Sequence, residues 1–208
     1  MLTSTKREIL AILADVYQGS VSGLTFGSPF QLLIATVLSA QTTDVQVNKA
    51  TKDLFERYPD PQSMAGVRAE DLIPYIQSLG FYRMKAKHIA ALAEILLTEY
   101  AGETPETREA LMKLPGVGRK TANVVLSNAF HVPALAVDTH VFRTANRMGL
   151  ASGKTPDEVE TMLCSLIPED DWSDAHHWLI WHGRRICKAQ KPLCEECPVG
   201  RLCPRITL

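Results

Sequence analysis

No stretch of this 208-residue chain alternates apolar and polar residues between turn signals, as half-buried β-strands require. Nor is there a run of 18 or more apolar residues, so a bilayer-spanning helix is not expected. The first residues, Met1 to Leu10, are polar and charged and lack the apolar core of a secretory signal. The expectation is a soluble, cytoplasmic protein. Internal repeats and low-complexity linkers are missing, which argues against a solenoid or a disordered tether. Net charge is scarce as well, at −1. Nucleic-acid-binding domains are often basic, so this total gives such a partner little support. Cysteine is rare outside one place: of five in the chain, four fall in the last 22 residues. A reducing cytosol disfavours disulfides, so cysteines clustered in this way suggest a metal site.

What is present is helical period. Hydrophobic residues make up 46% of the chain, enough for a packed interior. Ile9, Leu10, Ile12, Leu13, Val16 and Tyr17 recur at helical spacing behind Thr3, Ser4 and Thr5, which are cap candidates. Pro29 to Ala40 reads as a buried helix, and Thr43 or Asp44 caps a third reaching Tyr58. Asp71 to Leu79 is a short helix with Gly80 as its C′ glycine, and Tyr82 to Tyr100 is a long one. Further helices run over 107–114, 119–130, 138–148, 156–167 and 173–187. The class is all-α, with about ten helices.

Charge is uneven along the chain. From Trp181 onward six cations, among them Arg184, Arg185, Lys188 and Lys191, face only Glu195 and Glu196. From Ala151 to Asp174 seven acids face Lys154 alone. Such runs often mark solvated faces, but a polarised surface can also bind a polyanion on one side.

The segment Leu114–Ala122, L-P-G-V-G-R-K-T-A, carries the most chemistry. Two helices meet through Pro115, Gly116, Val117 and Gly118. Glycine permits positive φ and close backbone approach, and the following helix offers its N-terminal N–H groups to an anion, for which a DNA phosphate is the natural guest. Lys120 falls in that helix's first turn beside Arg119. The helix dipole and the neighbouring cation disfavour its charged form, which suits an amine nucleophile. A phosphate contact or a merely exposed lysine is the alternative. Asp138 precedes another helix. It reads as an N-cap, or as a carboxylate that stabilises a developing cation.

Cys187, Cys194, Cys197 and Cys203 form C-x6-C-x2-C-x5-C. Four thiolates hold either a [4Fe–4S] cluster or tetrahedral zinc, although structural zinc sites usually show two paired knuckles and this spacing has one. Cys164 lies outside the motif and reads as a core residue.

Taken together, L-P-G-V-G-R-K-T-A-N-V-V-L, then A-V-D-T-H-V-F-R, and earlier L-S-A-Q-T-T-D at 38–44 resemble the helix–hairpin–helix and Gly/Pro–Asp signatures of the endonuclease III family, in the family's order. The cysteine spacing is similar to that family's cluster motif. The resemblance implies a base-excision DNA glycosylase with AP lyase activity acting on oxidised pyrimidines. Lys120 then attacks C1′, Asp138 assists base departure and ring opening, and β-elimination cuts 3′ to the lesion. It implies a [4Fe–4S] cluster on the four cysteines, with Lys188 and Lys191 meeting phosphates from the loop between the first two. Gln41 fills the gap left by the flipped base, Phe81 stands at a second wedge position where many relatives have leucine, and His140 lines the lesion pocket. Gly116, Val117, Gly118 and Arg119 contact DNA. A core position remains the alternative for Phe81. The implied architecture is two helical lobes, a bundle over 25–133 and a cluster lobe of 1–24 with 134–208, with duplex DNA in the cleft between them. The protein is expected to be monomeric, nucleoid-associated and of bacterial type. Mismatch and adenine glycosylases of the superfamily lack the lysine and are the nearest alternative. A non-catalytic DNA-binding module and a redox-sensing iron–sulfur protein are the others.

Overall fold

A computed structural model describes residues 1–206, and among these residues every regular element is helical. Eleven α-helices and two 3-10 turns follow one another: α1 Thr3–Val16, α2 Pro29–Leu38, α3 Asp44–Arg57, α4 Pro61–Met64, α5 Ala69–Ile76, α6 Tyr82–Glu99, α7 Arg108–Leu111, α8 Arg119–Ala129, α9 Thr139–Arg147, α10 Pro156–Leu166 and α11 Trp172–Arg185. Among the described residues no helix is long and apolar enough to cross a membrane.

The chain divides into two compact units, Ser22–Val132 on the one hand and Met1–Val21 with Pro133–Leu208 on the other. In the first, α2 is the centre. Phe30 and every residue from Leu32 to Leu38 are buried, which its almost unbroken apolar sequence requires. α8, α3 and α6 pack against it, and α5 and α4 pack on α6. In the second unit α11 lies chiefly on α9 and also on α1, while α10 packs on α9. Ile9 and Leu13 of α1, Val141 and Ala145 of α9 and Leu179 of α11 are all fully buried there.

The local signals act where their chemistry is satisfied. Thr43 closes α3 in a capping box with Gln46, and Gly102 takes φ +82 past the end of α6, its amide bonded to Leu96 O at 2.8 Å. Two expectations fail. Thr3, Ser4 and Thr5 lie inside α1, whose N-cap is Leu2 with no side-chain bond. Gly80 is not a left-handed C′ residue; that conformation falls on Phe81, at φ 57. Cys164 is half-buried against the core of the second unit.

Candidate active site and cysteine cluster

The hairpin is built from α7 and α8. Gly116 takes φ +78, and a Cβ added there would stand 2.8 Å from His88 Nδ1 and 3.1 Å from Val37 Cγ1, so both its conformation and its packing oppose a side chain. Val117 is buried and its amide bonds to Leu114 O at 3.1 Å. Its side chain and N–H therefore help to pin the turn. Gly118 differs from both. Its φ is an ordinary −96°, and a Cβ there would meet nothing within 4 Å. As N-cap of α8 it makes no side-chain cap bond. Arg119 and Lys120 follow as the first two residues of α8, both half-buried.

Asp138 caps α9, its Oδ1 accepting from the His140 and Val141 amides at 2.8 Å each. It is half-buried, and the approach to it, Ala134–Val137, is buried throughout. His140 Nδ1 stands 3.2 Å from Arg143 Nη2. Burial pushes the pKa of His140 down, against the opposing pull of the Asp138 carboxylate. Lys120 belongs to one unit and Asp138 to the other.

Gln41 and Phe81 are both exposed, Phe81 at 63%, so Phe81 is not a core aromatic. Both hold left-handed backbones, φ 54 and φ 57.

All four clustered cysteines line one small cavity with His182, Leu193, Gly200 and Arg205. None is in a disulfide. Among the described residues no three His, Cys, Asp or Glu gather as ligands of a single metal ion. Thiols arranged around a cavity and not on one point suit a polynuclear cluster, each iron taking one sulfur, better than one tetrahedral zinc. Gly200 belongs to this cradle: a Cβ there would come within 2.9 Å of Cys194 O and 3.1 Å of Cys197 O. Burial pushes the Cys197 and Cys203 thiols up, an effect that ligation to iron reverses.

Sequence reasoning missed the residues that hold these parts. Arg143 donates from Nε to Cys187 O at 3.0 Å and from Nη2 to Gly183 O at 2.9 Å. Arg147 donates to Lys188 O at 2.7 Å and Ala189 O at 3.0 Å, so the loop carrying Lys188 and Lys191 is gripped at its base. Tyr17 OH and Cys197 Sγ stand on opposite nitrogens of the buried His182, at 3.1 and 3.6 Å, and burial lowers that imidazole to a pKa of about 4. In the hairpin-bearing unit, Lys85 is buried and bonded to Ala40 O and Thr42 Oγ1. The pair Arg143 and Arg147 at i, i+4 was readable as one helix face; its partners were not.

Residues 34–169 match the model of the HhH-GPD superfamily base excision DNA repair proteins, and residues 187–203 match the iron–sulfur binding domain of endonuclease III. The chain is 52% identical over 180 residues to endonuclease III of Rickettsia conorii, covering 86% of each chain. It is 47% identical over 203 residues to endonuclease III of Escherichia coli K12, covering 98% of this chain and 96% of that one. Among solved structures it is similar to a trapped endonuclease III–DNA covalent intermediate with an estranged adenine, at TM-score 0.95 and 48% identity, covering 99% of this chain and 97% of that one.

Proposed function

We propose a residue-level reading from one premise: the chain belongs to the endonuclease III family, within the HhH-GPD superfamily of base excision DNA repair proteins. It is a DNA glycosylase with associated AP lyase activity, its partner is DNA and its cofactor is a [4Fe–4S] cluster. The substrate class we infer is an oxidised pyrimidine, or an abasic site, in duplex DNA. The observation that carries the reading is the position of Lys120, a lysine in the first turn of the uncapped α8 behind a two-glycine hairpin. Its Nζ forms a bond to C1′ as the glycosidic bond breaks, and the base leaves with the electron pair and takes up a proton. Asp138, one oxygen held by the α9 amides, stabilises the cation that develops on the sugar. The C1′–O4′ bond then breaks, O4′ taking up a proton with Asp138 assisting, which opens the sugar and leaves an iminium between Lys120 Nζ and C1′. Loss of a C2′ proton from that iminium expels the 3′ phosphate, cutting the strand.

The other residues bind. The hairpin at Gly116, Gly118 and Arg119 holds a phosphate at the α8 N-terminus. Gln41 and Phe81 fill the space the extruded base leaves, and His140 borders the pocket that receives it. Cys187, Cys194, Cys197 and Cys203 hold the cluster, which cross-links the C-terminal segment and takes no part in the reaction. Lys188 and Lys191, on the loop that Arg147 grips, meet phosphates. The relatives named above are bacterial, and we infer a bacterial-type protein, cytoplasmic, nucleoid-associated and monomeric.

Borohydride trapping on a thymine-glycol duplex tests the reading: a covalent protein–DNA adduct is expected, and its absence with intact protein overturns it. The purified protein should be brown, absorb near about 400 nm and hold about four irons per chain. One zinc per active, colourless chain would overturn the ligand assignment.

A further inference from the structure

Left-handed backbone is costly for any residue with a Cβ, about 1–3 kcal/mol, and it persists only where the surroundings impose it. Gln41 and Phe81 both adopt it, 40 residues apart, at φ 54 and φ 57. One side chain connects them. Lys85 lies on the first turn of α6, where its amide and that of Met84 each bond to Phe81 O at 3.0 Å. Its side chain turns inward and is 4% exposed. There its Nζ donates to Ala40 O at 2.8 Å and to Thr42 Oγ1 at 2.9 Å, the residues immediately before and after Gln41. Charge-assisted bonds of this length are the strong kind. An ammonium so withdrawn from water is costly to keep, and its pKa is lowered by burial alone. A surface lysine meeting DNA would need none of this. With its amine committed to these two acceptors, Lys85 is also not a free nucleophile beside Lys120.

We propose that Lys85 is a positioning residue for base extrusion: its ammonium locks the Ala40–Thr42 turn to the first turn of α6, so that Gln41 and Phe81 enter the duplex as one preorganised pair. The proposal rests on the reading of those two side chains as gap fillers. A pair already ordered loses less conformational freedom when it replaces a stacked base, and the gain falls on the step that opens the base pair. Lys85 touches neither the lesion nor the strand.

The test compares single-turnover base release from two duplexes, one with thymine glycol opposite adenine and one with the same lesion opposite a tetrahydrofuran abasic analogue, which leaves no orphaned base to meet. Lys85→Met should lose about tenfold on the first and about twofold on the second, the size expected for losing charged hydrogen bonds. Thr42→Val, which removes one acceptor and keeps the shape, should show the same ratio with a smaller loss, and Thr42→Ser should restore it. This second pair keeps the test open if Lys85→Met fails to fold. In a Gln41→Ala/Phe81→Ala background, Lys85→Met should add less than twofold. Equal losses on both duplexes, or full additivity with the double variant, would overturn the proposal by reducing Lys85 to a stability residue. If Gln41→Ala/Phe81→Ala leaves release from the paired duplex unchanged, the gap-filling reading falls first and the proposal with it. If that double variant is slow while Lys85→Met is not, the proposal alone falls.

Discussion

α8 and α9 begin in opposite ways. α9 starts from Asp138, whose carboxylate takes two of the four amides that every helix leaves unpaired at its N-terminus. α8 starts from Gly118, which supplies no side-chain cap. One helix end is closed by its own anion; the other, on the function proposed above, is closed by a DNA phosphate. The residues behind each opening follow the same division. Gly118 has room for a Cβ and lacks one, whereas Gly116, two residues earlier, has no room for one. Internal packing explains Gly116 and leaves Gly118 unexplained; on the function proposed above, the reason lies in the phosphate it meets.

The contrast can be broken or sharpened at five places. The largest effect is expected at the open end. Lys120→Gln should remove strand cleavage and borohydride trapping entirely while melting temperature stays near that of the parent, since α8 has no cap in Lys120 to lose. A mutant that still traps would move the nucleophile elsewhere. At the closed end, Asp138→Asn keeps a favoured cap, so stability should hold while base release slows by about a hundredfold or more. Asp138→Ala should in addition cost about 1 kcal/mol in denaturant unfolding. Normal turnover in Asp138→Asn would reduce Asp138 to its cap. Gly118→Asp closes the open end artificially. Unfolding free energy should be unchanged or slightly raised, but DNA affinity should drop about tenfold as the carboxylate takes the phosphate's place. Gly116→Ala is its counterpart, destabilised by about 1–3 kcal/mol because φ +78 and His88 both oppose it. The smallest effect is sought far from either helix start, at Lys191→Glu. Affinity should fall a few-fold, and the slope of log K against log salt should shrink by about one unit with single-turnover chemistry intact. Unchanged binding would remove the cluster loop from the DNA contact.

What the sequence disclosed was whatever its local chemistry determines. The cap of α3, expected at Thr43 or Asp44 and found at Thr43, the turn at Gly116 and the cap at Asp138 are decided within a few residues. Convergence of the four cysteines on one cavity follows from a motif only 17 residues long. The misses are tertiary. Gly80 was expected to be left-handed because glycine adopts that state most easily, yet Phe81 adopts it. Lys85 is buried because α6 approaches the Ala40–Thr42 turn, and no short window contains both. A signal did exist: Lys85, Ile89, Leu92, Ala93 and Leu96 share one helical stripe, and all five are buried. A lysine on an otherwise apolar stripe asks for a partner. Likewise Val117 was grouped with its exposed glycine neighbours, although a β-branched apolar residue between two glycines in a helical turn has reason to point inward, as it does.

The second unit contains both ends of the chain, and this sets a timetable for its synthesis. Ile9, Leu10 and Leu13 of α1 are buried against elements made after residue 132, and Tyr17 meets His182 across a separation of 165 residues. At translation rates of about 5–20 residues per second, α1 leaves the ribosome roughly 10–30 s before its partner helix exists. The intervening unit, Ser22–Val132, is contiguous and can fold in that interval. Through it, α1 waits with an unpaired aliphatic stripe. A chain ending before α11 is therefore expected to leave this stripe partly uncovered and to aggregate more readily, although its hairpin and Lys120 are already complete.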